Sequence, residues 1–248
     1  EAVARLKQGR AYSATVPRGI VHLSRRSGGE VFYYDLNVPA TYVPSRRYQV
    51  RVQLHGGVGG QDTSLPRGDG SIGELAGPES VEQIYVIPYA WKDVPWWTNA
   101  QLENLRAILD SLKRTYNVDE NRVVLSGVSD GATATYYFAM RDTTPFASFL
   151  PLNGFIMVLA NPSVHAEGDL YPNNFRNKPL FVVNGGADPL YPIRLVEPYV
   201  EHLIGGGVEV DYRPQPTAGH NTSWWPDLKD DFETFVRTHP RDPLPAFL

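Results

Sequence analysis

The sequence predicts an α/β sandwich, a mostly parallel central sheet with helices on both faces. Three observations lead there. Aromatic and β-branched runs come early in the chain, short apolar runs then alternate with helical patterns, and no repeat, low-complexity tract or long polar linker divides the 248 residues. The expectation is one domain over residues 1–248, with a small cap or a long loop inside 155–178.

The strand candidates come in order. Glu30 to Val38 (EVFYYDLNV) is rich in aromatic and β-branched residues and stops at Pro39. Tyr48 to Leu54 alternates, with Val50, Val52 and Leu54 on one face and Gln49, Arg51 and Gln53 on the other. Gln83 to Ile87, Arg122 to Leu125, Ser148 to Leu152 and Leu180 to Val183 are short and apolar, as strands covered on both faces are. Val208 to Tyr212 is a further candidate.

The clearest helix runs from Thr98 to about Tyr116, because Leu102, Leu105, Ile108, Leu109 and Leu112 recur at spacings of three and four. Thr98 with Gln101 forms a capping-box pattern at its start. Asp130 to Met140 leaves a strand directly, Leu195 to Ile204 runs into Gly205-Gly206-Gly207, and Trp225 to Arg237 carries Leu228, Phe232, Phe235 and Val236 on one stripe. The longest stretch without a clear element is Phe155 to Lys178, and long loops of this kind are often functional.

Composition removes several function classes. Apolar residues at 42% and a net charge of only −4 argue against disorder. Basic residues cluster no further than the pairs Arg25-Arg26 and Arg46-Arg47, so nucleic acid is not an expected partner. The absence of cysteine removes thiol nucleophiles, disulfide scaffolds and Cys-type metal sites. The longest clean apolar run, Phe155 to Ala160, is far short of the roughly 18 residues a membrane span needs. No signal peptide is visible. Glu1 in place of Met gives the expectation of a processed or trimmed form, external or periplasmic after removal of a leader, or otherwise cytoplasmic.

The chemistry begins at Gly127-Val128-Ser129-Asp130-Gly131, a G-x-S-x-G pattern. The strand RVVLSG enters it and an Ala/aromatic helix leaves it, which is the context the pattern requires. A strand-to-helix turn this sharp needs neighbours without bulky side chains, supplied by Gly127 and Gly131. It presents the Ser129 hydroxyl at a helix N-terminus, where developing negative charge is favoured. The competing use of Ser129 is to cap that helix.

A serine needs a base, and the base an orienting acid. His220 lies in a loop after the last candidate strand, where such sheets place chemistry. His165 is its rival, whereas His202 and His239 read as surface. Asp188 follows the strand LFVV in a Gly-rich turn, 59 residues after Ser129 and 32 before His220. Asp211 and Asp227 are its rivals, and an ordinary Asp-Pro turn is the plainer reading.

The run His55-Gly56-Gly57-Val58-Gly59-Gly60 follows another strand and lets backbone N–H groups approach a substrate carbonyl. The expected donors are the N–H groups of Asp130 and Gly57, with Val58 as the alternative, and His55 is expected to pin the loop. A phosphate loop is the other use of such glycines, but no G-x-x-x-x-G-K-[ST] pattern is present.

With these four parts in order, the chain resembles the α/β-hydrolase superfamily over roughly residues 30–238. Within it the likeness is to small bacterial esterases grouped with polyhydroxybutyrate depolymerases, feruloyl esterases and phospholipase/carboxylesterases. The resemblance implies an α/β-hydrolase sandwich of about eight strands, with Ser129 as nucleophile, Asp188 as acid, His220 as base, and Gly57 with Asp130 as oxyanion donors. It implies a small-molecule ester as partner and no cofactor or metal. Two departures stand out. Asp130 occupies a position where many relatives carry an apolar, Gln or His residue, which leaves open contact with substrate or a local bond. HGGVGG is also not the HGGG(A/G) run of hormone-sensitive-lipase-like enzymes, so the second donor stays open.

All five tryptophans fall in loops or helix starts on the side of the triad. Trp97 and Trp225 are the first candidates for substrate contact, then Trp96 and Trp224, against the plainer alternative that they pack the top of the core. The expected activity is a serine carboxylesterase. Alternatives on the same fold are a peptidase or amidase and a polyester depolymerase, and from another class a non-catalytic binding module. A metal hydrolase is disfavoured, because no HExxH pattern or paired ligand cluster occurs.

Overall fold

A computed structural model describes residues 9–63, 65 and 69–242. Among them, eight strands form one open sheet: β1 (Gly19–Ser27), β2 (Glu30–Val38), β3 (Tyr48–Leu54), β4 (Gln83–Pro88), β5 (Val118–Val128), β6 (Ser148–Leu152), β7 (Leu180–Gly185) and β8 (Val210–Gln215). Their order across the sheet is β1-β2-β4-β3-β5-β6-β7-β8. The pairs β1–β2 and β2–β4 are antiparallel, and every pair from β4 to β8 is parallel.

The helices are α1 (Asn99–Thr115), α2 (Asp130–Arg141), α3 (Ile193–Gly205) and α4 (Trp225–Thr238). Apolar side chains of α1, α2 and α3 share one cluster with Val50, Val52, Val123 and Leu125, while Trp225, Phe232, Phe235 and Val236 of α4 pack with Val124, Phe181 and Val183. The expected sandwich with both faces covered is therefore present, one cluster on each face of the sheet. Thr98 caps α1 by accepting the Gln101 N–H at 3.4 Å. The Gln101 side chain does not return the bond. It donates to the carbonyls of Tyr89 and Val94, so half of the capping box forms.

Two features differ from the sequence expectation. Strand β1 lies in a stretch with no assigned element. Its signal is the pair Gly28-Gly29, which takes positive φ (58° and 89°) and joins Ser27 to Glu30 in a two-residue hairpin turn. The alternation of β3 is real, but its polar face does not meet water, because all seven residues are buried. Helix α4 lies over that face.

Between β3 and α4 is a buried polar layer. The Glu233 carboxylate accepts from Gln49 Nε2 and Gln83 Nε2, each at 2.8 Å. Arg51 donates to the Leu75 carbonyl at 2.9 Å and to Gln53 Oε1 at 2.8 Å, with its guanidinium 4.7 Å from the Trp225 ring centroid and 4.5 Å from that of Phe232. Complete burial pulls the Arg51 pKa down to about 10, opposed by the charge of Glu233, so it stays cationic at neutral pH.

The segment 155–178 holds three 3₁₀ turns, Ile156–Ala160, Pro162–Val164 and Pro172–Asn177. It is tied to the helix face by Tyr137 Oη donating to the Glu167 carbonyl at 2.9 Å and Asn174 Nδ2 to the Met140 carbonyl at 2.7 Å. None of the described helices is long and apolar enough to cross a membrane.

The sheet order sets the position of the site. From β3 the chain moves to β4 on one side and returns to β5 on the other, so the loops that follow β3 and β5 face each other across a switch point. The loop after β3 is His55–Gly60, and β5 ends one residue before Ser129.

Replacing Glu233 by Ala strands two buried amides and leaves the buried Arg51 without its nearest carboxylate. The expected cost is about 3–5 kcal/mol, or about 6–20 °C in Tm. Glu233→Gln should cost less, and thermal unfolding of the two variants checks the order.

Candidate active site

Ser129 joins β5 to α2 with φ 57° and ψ −117°, a backbone conformation L-residues avoid. The turn closes because its flanks lack side chains. A Cβ on Gly127 would lie 2.1 Å from the Gly131 carbonyl oxygen, and one on Gly131 would lie 2.3 Å from that of Leu54. The turn is further tied by the Ser129 N–H donating to the Leu152 carbonyl at 3.1 Å and by Thr133 N–H donating to the Ser129 carbonyl at 2.9 Å.

Ser129 makes no side-chain capping bond to α2. Its Oγ lies 2.8 Å from His220 Nε2 instead, the geometry for a hydroxyl donating to the ring. On the far side, His220 Nδ1 lies 2.6 Å from Asp188 Oδ2. The Asp188 side chain is fully buried, and its second oxygen accepts the N–H groups of Leu190 and Tyr191 at 2.8 and 3.1 Å. Ser129, His220 and Asp188, the leading candidates from the sequence, thus form one hydrogen-bonded chain.

The rivals lie elsewhere. Asp211 pairs with Arg213 on β8, and His239 is held by Glu209. His165 ends the turn Pro162–Val164, His202 lies on α3 and Asp227 on α4.

The loops that carry Asp188 and His220 are packed backbone to backbone. Gly186 N–H donates to the Gln215 carbonyl at 2.7 Å and Ala187 N–H to the Ala218 carbonyl at 2.9 Å. Between them sits Asn153, absent from the sequence-derived set. It is fully buried with φ 55°, donates from Nδ2 to the Asn221 carbonyl at 2.7 Å, and accepts the Gly185 N–H at 3.1 Å. One amide therefore ties the end of β6 to both neighbouring loops. Its sequence signal was the Asn153-Gly154 pair after a strand, since Asn tolerates positive φ better than most residues.

Tyr191 was also unforeseen. Its ring meets His220 edge-on at 5.3 Å between centroids and Phe155 at 6.1 Å. Burial raises the Tyr191 pKa, further raised by the charge of Asp130 and offset by the hydroxyls of Thr133 and Ser129, so it stays protonated at neutral pH.

The loop after β3 presses against the turn, for a Cβ on Gly56 would fall 2.7 Å from the Ser129 Cβ. His55 Nδ1 lies 2.8 Å from the Gly56 carbonyl oxygen, and His55 Nε2 lies 3.1 Å from the Ala90 nitrogen. With Nδ1 protonated and Nε2 accepting from Ala90, this ring pins the loop, in the role expected of it. The alternative donor Val58 is corrected by the geometry, because its N–H is already given to Asp130 Oδ2 at 2.8 Å. Gly57 adopts a left-handed conformation (φ 64°, ψ 35°).

The tryptophans need correction. Trp96, Trp97, Trp224 and Trp225 are all buried. Trp96 Nε1 donates to the His55 carbonyl at 2.9 Å, Trp97 Nε1 to that of Val164 at 2.8 Å, and Trp225 Nε1 to that of Ala76 at 2.8 Å, while Trp224 packs against Trp225. A buried indole N–H needs an acceptor, and loop carbonyls supply it for Trp96, Trp97 and Trp225, so these three rings brace loops from behind. The cleft beside Gly56 has a volume of about 310 Å³ and is walled by Ile72, Leu75, Ile87, Tyr89, Val128 and Thr222. None of the described residues forms a cluster of three or more acidic, His or Cys side chains able to hold a metal.

No family model matches the chain. Over 141 residues it is 32% identical to a lasso peptide isopeptidase of Asticcacaulis excentricus, a match covering 51% of this chain and 20% of that protein. Over 111 residues it is 29% identical to a bifunctional acetylxylan esterase/xylanase of Neocallimastix patriciarum, covering 45% and 14%. The chain thus spans a fifth or less of the length of these curated relatives. Among solved structures, a thermostable esterase superposes with TM-score 0.70 at 23% identity, over 90% of this chain and 63% of that one. A ferulic acid esterase gives 0.66 at 18%, over 88% and 97%, and the acylaminoacyl peptidase of Pyrococcus horikoshii 0.67 at 14%, over 98% and 44%.

The chain has the α/β-hydrolase fold. The turn at Ser129 lies between β5 and the buried helix α2, and the loops after β7 and β8 carry Asp188 and His220.

Asn153→Ala removes both side-chain bonds, leaves a buried N–H and carbonyl unpaired, and keeps a positive φ that Ala resists. It should cost about 2–4 kcal/mol. A thermal midpoint equal to that of the wild type would refute the keystone role.

Proposed function

We propose that this α/β-hydrolase-fold chain is a serine hydrolase that cleaves carboxylic esters through an acyl-enzyme. The observation that carries the proposal is the continuous path from Ser129 Oγ through His220 to the buried Asp188, at 2.8 and 2.6 Å, on a strained turn whose serine does not cap its helix. Ser129 attacks the ester carbonyl as His220 Nε2 takes its proton. Asp188 holds the ring in the tautomer with Nε2 free to accept and stabilises the imidazolium that forms. The oxyanion faces the N–H groups of Asp130 and Gly57. His220 then returns the proton to the leaving alcohol, and water repeats the sequence to release the acid. The cleft beside Gly56 offers the apolar room that a small ester needs.

A second reading has specific support. A relative at 32% identity is a lasso peptide isopeptidase and one structural neighbour is an acylaminoacyl peptidase, so the same residues could act on an amide. Parallel assays of p-nitrophenyl esters and matching anilides separate the two. Comparable rates favour the amidase, while ester turnover at least a hundredfold faster favours the esterase.

A fluorophosphonate probe at neutral pH is expected to leave one adduct, on Ser129, detectable by peptide mass spectrometry. Absence of labelling would sink the proposal. Ser129→Ala should lower ester turnover by about 10⁴-fold or more with Tm nearly unchanged. A large loss of stability would instead make Ser129 structural.

A further inference from the structure

The elbow of this chain places a carboxylate directly after Ser129, and the structure gives it a partner. Two consecutive peptides of the loop after β3 are each held from one side. The first joins Gly56 to Gly57, and its carbonyl faces His55 Nδ1 at 2.8 Å. In a trans peptide, C=O and N–H point in opposite directions, so that bond turns the Gly57 N–H away from His55. The second joins Gly57 to Val58, and its N–H donates to Asp130 Oδ2 at 2.8 Å. Its carbonyl points the other way and accepts the Gly60 N–H at 3.3 Å, which closes the 3₁₀ turn Val58–Gly60. Gly57 lies between the two held peptides in its left-handed conformation.

We propose that Asp130 is a positioning residue for the oxyanion site: its carboxylate, by engaging the Val58 N–H, holds the Gly57 N–H in the orientation that receives the oxyanion. Asp130 then serves twice. Its own N–H, at the first position of α2, is one donor, and its side chain aims the other. The bond also joins loop and elbow directly, so the two donors keep a fixed separation while the carbonyl carbon becomes tetrahedral. Such preorganisation is what gives an oxyanion hole its effect, and small misplacements of a reacting or stabilising group are costly. The bond withdraws Val58 from competition as a donor. It also removes the need for a third glycine, because Val58 turns its N–H toward Asp130 and not toward substrate.

This inference rests on the hydrolase reading above, and its test separates the two. Amide hydrogen exchange at Val58 needs no substrate. Protection is expected in the wild type and in Asp130→Asn, which keeps an acceptor oxygen, and is expected to be lost in Asp130→Ala. For an activated ester, Asp130→Ala should lower kcat about 10–100-fold with KM within about threefold, and should weaken a trifluoromethyl ketone, whose adduct carries the oxyanion, by a similar factor. Asp130→Asn should recover most of both losses. Asp130→Ser, too short to reach Val58, should behave like Asp130→Ala and serves if that variant does not fold. Unchanged Val58 exchange in Asp130→Ala would overturn the inference, as would wild-type kcat in that variant or an Asp130→Asn no better than Asp130→Ala. A wild type that turns over no ester would overturn the hydrolase reading alone, with the clamp still judged by Val58 exchange and by binding of the ketone.

Discussion

The arrangement depends on one backbone constraint, the positive φ of Ser129 between β5 and α2. That conformation costs on the order of 1–3 kcal/mol and persists only where the surroundings over-determine it. Here they do. Gly127 and Gly131 come together at distances no side chain survives, Gly56 closes from a third direction, and the Ser129 N–H is held by the end of β6. A hydroxyl that would otherwise cap a helix is instead aimed at a histidine arriving from a strand three positions further along the sheet. Because α2 is buried on nearly every side, the turn cannot relax by shifting the helix.

The same logic governs the partners. The loops that carry Asp188 and His220 are registered by backbone bonds to each other and by the single amide of Asn153. The Gly185 N–H held by Asn153 is buried, and leaving such a group unpaired costs about 1–3 kcal/mol. Rigidity at the site therefore comes from satisfied backbone polarity behind it. The tryptophans belong to that support: Trp96 anchors the loop that carries Gly57, and Trp225 covers the buried Arg51. Large aromatics near a site are as often its foundation as its wall.

The cation and carboxylate under α4 have a similar function at the scale of the fold. Arg51 and Glu233 are buried, each hydrogen-bonded to side-chain amides of its own, an arrangement whose contribution lies in the high cost of mispairing. Arg51 also grips the Leu75 carbonyl, and Leu75 walls the cleft beside Gly56, so the polar layer beneath the sheet reaches the edge of the site.

Much was legible in the sequence because the physics there is local. Periodicity marks α1, apolar runs mark β2, β3, β6 and β7, and the strand–glycine–helix context of residues 127–131 singles out Ser129. The order of Ser129, Asp188 and His220 after β5, β7 and β8 made them candidates, because a parallel sheet brings the carboxyl ends of its strands to one edge. Local signals were also present, and passed over, for β1 in Gly28-Gly29 and for Asn153 in its Asn-Gly pair. What the tertiary structure alone decided are contacts between segments distant in sequence. Helix α4 buries the polar face of β3, Val58 is committed to a carboxylate 72 residues away, and Trp96, Trp97 and Trp225 turn toward loop carbonyls. Those outcomes rest on which buried donor finds which acceptor. Periodicity and spacing carry no record of that pairing, because it depends on how the loops settle against one another.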